Sequence, residues 1–173
     1  MRVVLNEPLP VEIDDLLARR RRLGLDTYDE VWDGEYHMNA APNRGHGRLD
    51  KLIARLLDPI AEAVGLVSVT QINVGIEHDF RVPDAAYLRS EGDPSQVWID
   101  DVAIVVEVLS PNDETYAKFD HYFAYGVDEI IVADPARKVI EIHVRAGEGF
   151  ARLDASDWLS VSAGQLSDSI HWP

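Results

Sequence analysis

Three side chains are notable for where they stand. Glu107 closes Val102-Ala103-Ile104-Val105-Val106, the most apolar run of the chain. An ionised carboxylate there is costly unless it is paired, hydrogen-bonded or bound to a metal. Asp84 raises the same question, following Val82-Pro83 and preceding Ala85-Ala86-Tyr87-Leu88. If the two strands are neighbours, both acids reach one hard cation such as magnesium, which takes one or two carboxylates, several waters and a phosphate oxygen. Such an ion polarises a phosphodiester and acidifies its bound water, while a nearby lysine orients the water or offsets charge developing on the phosphate. Lys118 lies 11 residues after Glu107. Its long stem, about two turns into the following helix, can aim an ammonium at the strand end. Plainer readings stay open: Asp84 can begin a strand and accept backbone hydrogen bonds, and Glu107 with Lys118 can form an ion pair needing no cation.

These residues need elements to position them. Val11, Ile13, Leu16, Leu17 and Leu23 give a first helix over Pro10 to Leu23, stopped by Gly24. Asp33-Gly34 between two short segments of Tyr28 to Met38 marks a tight hairpin. Ala40 to Gly47, with Pro42, Gly45 and Gly47, reads as a loop. It feeds a helix whose Leu49, Leu52, Ile53, Leu56, Leu57, Ile60 and Val64 share a face up to Gly65. Leu66 to Ile76, Arg81 to Arg89 and Val102 to Leu109 read as three strands, the last buried on both faces and so central. Asn112, Asp113 and Glu114 suit a helix start, and Tyr116, Phe119 and Phe123 carry that helix to Gly126. Asp128 to Ala133 is a fourth strand, and Val139 to Val144 with Gly149 to Leu153 a closing hairpin.

Composition narrows the setting. The 173 residues are 46% hydrophobic, enough for one domain with its own core. The absence of cysteine excludes disulfides and thiolate chemistry and favours a reducing interior. Met1 to Pro10 lacks the apolar core of a secretory signal, and no run approaches a membrane span, so a cytoplasmic protein with no membrane partner is expected. The formal charge of -15 disfavours nucleic acid on average. Four arginines, Arg19 to Arg22, follow one another but point about 100° apart, which reads as a solvated helix end before a phosphate contact. Glu35 beside the hairpin turn reads as an exposed acid, with the metal site as the lesser alternative. His46 reads as a capping or packing residue ahead of a phosphate or water contact. The tryptophans read as core or interface residues, and no histidine pair has zinc-ligand spacing.

Taken together, Val82-Pro83-Asp84, Val106-Glu107-Val108-Leu109-Ser110-Pro111, Lys118 and Gly126-Val127-Asp128-Glu129 to Ala133-Asp134-Pro135 resemble the bacterial family named for putative restriction endonucleases, in the PD-(D/E)XK superfamily. Trp32-Asp33-Gly34-Glu35 and Ala41-Pro42 to His46 match its acidic hairpin and Pro-to-His loop. The resemblance implies an α/β fold with a restriction-endonuclease-like core (helix, three strands, helix, strand), an N-terminal helix and appended hairpins, in a single domain over 1–173. It implies a metal-dependent endonuclease acting on DNA with Mg2+ or Mn2+, with Asp84 and Glu107 as metal ligands and Asp84, Glu107 and Lys118 as catalytic residues; because cutting two strands calls for two centres, a homodimer is expected. The superfamily lysine two residues after the second acid is here Leu109, so Lys118 takes its place from the helix. The alternative is a nuclease-like domain without cleavage that binds DNA or a protein, with Glu107 and Lys118 as a folding pair.

Overall fold

The computed structural model describes the backbone of residues 3–5 and residues 11–111 and 114–173. In chain order the elements are β1 (Val3–Leu5), α1 (Val11–Arg22), β2 (Glu30–Trp32), β3 (Glu35–Met38), α2 (Arg44–Ala63), β4 (Val67–Val69), β5 (Asn73–Ile76), β6 (Asp79–Arg81), β7 (Ala85–Leu88), β8 (Trp98–Ile99) and β9 (Val102–Val108). A 3₁₀ turn, Thr115–Lys118, leads into α3 (Phe119–Ala124), β10 (Glu129–Asp134), β11 (Val139–Ala146), β12 (Gly149–Leu153) and α4 (Ala163–Ser169). The strands form two mixed six-stranded sheets, ordered β1-β3-β2-β6-β5-β8 and β12-β11-β10-β9-β7-β4.

The apolar run of β9 lies at the middle of the second sheet, parallel to β10 and antiparallel to β7, with every residue buried. Leu49, Ile53, Leu57 and Ala61 of α2 and Leu166 of α4 cover one face of that sheet. Tyr122 of α3 and Val74 of β5 cover the other. Each leucine, isoleucine or valine among them, fully buried, contributes about 1.5–3 kcal/mol by leaving water. The β2–β3 hairpin turns at Asp33 and Gly34, whose φ values of 49° and 84° are those of a type I′ turn.

Three expectations need correction. α2 begins at Arg44, inside the stretch read as a loop, because the Asn43 side chain accepts from the N–H groups of Gly45 and His46 and so satisfies the first turn despite its glycines. Leu66 to Ile76 and Arg81 to Arg89 are not single strands. Each is cut in two, and its halves belong to different sheets: β4 and β7 to one, β5 and β6 to the other. Lys118 ends the 3₁₀ turn directly before α3 and does not lie two turns into a helix. The capping expected of Asn112 and Asp113 lies outside the described residues. Neither β8 nor α4 was expected; α4 is closed by a capping box in which Ser162 and Gln165 bond each other's backbone N–H.

Candidate active site

The crossing between sheets builds the site. Between β6 and β7 the segment Val82-Pro83-Asp84 carries the chain from one sheet to the other. Proline suits that unpaired stretch because it has no N–H to satisfy. Ala85 pairs with Val106 across the β7–β9 ladder, so one step further along the antiparallel register Asp84 stands opposite Glu107. Asp84 is fixed from two sides: Oδ2 accepts from the Val108 N–H at 2.7 Å, and Oδ1 lies 2.7 Å from His46 Nε2. The other His46 ring nitrogen, Nδ1, lies 3.2 Å from Ser110 Oγ.

Glu107 points to the α3 side of the sheet. Its Oε1 accepts from the Tyr122 hydroxyl at 2.5 Å and from Lys118 Nζ at 3.0 Å, and Oε2 lies 3.3 Å from the same ammonium. Lys118 Nζ also lies 3.0 Å from Glu30 Oε1, so one cation sits between two carboxylates. Burial pushes the Glu107 carboxyl up to about 7; Lys118 lowers it, and the charges of Asp84 and Glu30 raise it further. Burial pulls the Lys118 ammonium down, but the two carboxylates outweigh it and the net shift is upward. The pair therefore holds its protons as a unit.

Asp84, Glu107, Lys118, Glu30, His46 and the Val108 backbone line one open cavity of about 430 Å³, walled on its other sides by Tyr28, Trp32, Ala40 to Pro42 and Pro111. The three residues singled out by sequence thus meet at one place. Glu35 does not join them: it is half exposed on β3, 3.9 Å from His37. Leu109 packs among the apolar residues on the α3 side and contributes no charge.

A family model described as "Uma2: Putative restriction endonuclease" matches residues 23–165. The chain belongs to the Uma2 family. That match takes in the hairpin, α2 and all three site residues. Among solved structures the chain is similar to a nuclease described as putative and as belonging to DUF820, from Anabaena variabilis ATCC 29413, with a TM-score of 0.58 and 14% identity over 82% of this chain and 90% of that one. The two share a fold. A search of the curated proteins returned no match.

Among the described residues of this Uma2 chain, no three His, Asp or Glu side chains form a ready metal cluster. The donor set nevertheless suits a hard cation. Two carboxylates share one cavity, Asp84 raises the Glu107 carboxyl, and magnesium asks for no more than one or two protein carboxylates beside water and phosphate. Asp84 spends two of its roughly four lone-pair positions on His46 and Val108, leaving capacity toward the cavity.

Two further residues belong to this Uma2 site: Glu30, which the sequence does not single out, and His46, for which a site contact is the lesser of two readings. Glu30, only 3% exposed, opens β2 directly after another acid, Asp29, so no surrounding apolar run marks it for burial. The capping expected of His46 falls to Asn43, and the imidazole reaches Asp84.

Proposed function

We propose that this Uma2 protein is a divalent-cation-dependent endonuclease that hydrolyses DNA phosphodiester bonds, with Asp84 and Glu107 as ligands of Mg2+ or Mn2+ and Lys118 beside them. One observation carries the reading: two carboxylates and a lysine from three separate segments line one open cavity at the end of the central strand β9, in a fold shared with a solved structure described as a putative nuclease. A bound cation supplies polarisation of the scissile phosphate and a more acidic water. His46 and the Val108 N–H keep Asp84 in one orientation, so little reorganisation is needed when substrate arrives. Tyr122 holds Glu107 from beneath, and Lys118 keeps a positive charge at the floor of the cavity where negative charge builds on the phosphate. Cutting both strands of a duplex calls for two such centres, which a homodimer provides.

DNA has something to hold despite the overall charge of -15. Arg44, Arg48, Lys51 and Arg55 are exposed, and their spacing of 4, 3 and 4 residues sets them on one outward face of α2. They cover about 16 Å of helix. Among the described residues none of the four closes an ion pair with a carboxylate, unlike Arg20, Arg81, Arg89, Arg137 and Arg152.

A second reading, a nuclease-like binding module without cleavage, is favoured by the closed Lys118–Glu107 pair at 3.0 Å. Thermal melting with added Mg2+ or Mn2+ separates the two. A cation at about 100 times its dissociation constant stabilises the native state by about 2.7 kcal/mol. The nuclease reading expects wild type to gain that increment and Asp84→Asn and Glu107→Gln to lose it. An unchanged melting temperature in wild type favours the binding module.

A further inference from the structure

The acid on β2 is bound more elaborately than a structural ion pair requires. Glu30 Oε1 accepts from the Val82 N–H at 2.9 Å and lies 3.0 Å from Lys118 Nζ, while Oε2 accepts from the Trp32 indole N–H at 2.9 Å. Its three partners belong to three different parts of the site. Val82 is two residues before Asp84 on the crossing between the sheets, Lys118 precedes α3, and Trp32 is on the same hairpin strand and lines the cavity. Trp32 is itself held: His37 stacks on it with ring centroids 4.7 Å apart, and the Arg81 guanidinium sits 4.4 Å from its centroid.

We infer that Glu30 is a positioning residue, which ties the β2–β3 hairpin to the reaction centre by fixing where the Lys118 ammonium stands and where the Asp84 segment crosses. The inference rests on the reading of Asp84, Glu107 and Lys118 as that centre.

The geometry explains why the second carboxylate is needed. A lysine has three N–H donors on a flexible stem and no preferred plane, so one carboxylate leaves its head free to swing about that partner. With Glu107 and Glu30 at 3.0 Å each, the head is held between two anchors on different sheets. Glu30 is in turn fixed by two neutral donors and cannot follow the lysine if it moves. The same carboxylate holds the backbone at Val82, so its loss loosens Lys118 and the Asp84 segment together.

Lys118 can be observed directly because the chain has only two other lysines, Lys51 and Lys138, both exposed. Competitive acylation of the full chain with limiting acetic anhydride, read by mass spectrometry, reports how tightly Lys118 is held, with the other two as internal references. In wild type Lys118 is expected to label about tenfold more slowly than either, and Glu30→Gln, which removes one charge-assisted bond, to raise its labelling several-fold with the Lys51 to Lys138 ratio unchanged. In cleavage assays the same variant is expected to lose about tenfold in kcat with KM within about twofold, as a misplaced group should. Wild-type labelling of Lys118 in Glu30→Gln overturns the inference, as does raised labelling with an unchanged kcat. If the Gln variant fails to fold, Glu30→Asp is read in the same way: its carboxylate is one methylene short, so intermediate labelling supports the role and wild-type labelling overturns it. Absence of cleavage by folded wild-type protein refutes the nuclease reading, and labelling then decides on Glu30 alone.

Discussion

At the scale of single residues the site is a problem in placing charge. Glu107 is 4% exposed and carries a carboxyl raised from 4.5 to about 7, chiefly by burial. Between those values the native state holds a proton that the unfolded chain has released, so this group's contribution to stability falls as pH rises through the window. Glu107→Gln imitates the protonated form and removes the effect. Urea denaturation between pH 4.5 and 7 should show wild type losing stability relative to Glu107→Gln by up to about 1.4 kcal/mol per pH unit. Parallel curves would contradict the raised carboxyl. Glu107, Asp84 and Lys118 were legible in the sequence because each breaks a local pattern, an acid in an apolar strand or a cation within reach of one. Glu30 follows Asp29 and opens a strand only three residues long, so no apolar pattern reveals that it will be buried against a distant lysine. His46 was obscured by its Gly-rich surroundings, where capping is the commoner role for a polar residue.

Among the elements, those with strong local signals were readable and those defined by long-range pairing were not. The face of α2, the apolar β9 and the Asp33-Gly34 turn each follow from period or turn chemistry, and all three are present. The division of the chain between two sheets depends on partners far away in sequence. Val67–Val69 pairs with β7, and Asn73–Ile76, a few residues on, pairs with β6 and β8. Between β4 and β5 no proline or glycine marks the break, whereas between β6 and β7 Pro83 is a sign that the run is interrupted. The β2–β3 hairpin carries Glu30 into the cavity, so its turn matters beyond its own stability. Gly34 sits at φ 84°, where a side chain is strained. Gly34→Ala is expected to cost about 1–2 kcal/mol in chemical denaturation. If it instead leaves stability unchanged, the left-handed turn is not required to set the register of β2 and β3.

For the molecule as a whole, the tension lies between a charge of -15 and the polyanionic substrate proposed for it. The outward cations of α2 offer a local answer, one that a total charge conceals and a helical wheel reveals. Reversing Arg44, Arg48, Lys51 and Arg55 to Glu in a Glu107→Gln background should weaken binding to duplex DNA at low salt. It should also make the logarithmic salt slope shallower by roughly 0.9 for each phosphate that the protein no longer neutralises. A slope unchanged from the parent would place the DNA elsewhere. The restriction-endonuclease-like fold was legible because its motifs, weak singly, occur together and in order. The N-terminal helix, by contrast, was read from local period alone and lies outside the residues of the Uma2 match.

Whether the two acids and the lysine make a nuclease is decided most directly by conversion of supercoiled plasmid. Purified protein is incubated with Mg2+ or Mn2+, beside a chelated control and Glu107→Gln. Nicked or linear DNA that appears with the cation and vanishes in both controls is the result expected. Folded wild-type protein that leaves the plasmid supercoiled under either cation, or cleavage that survives in Glu107→Gln, would contradict it.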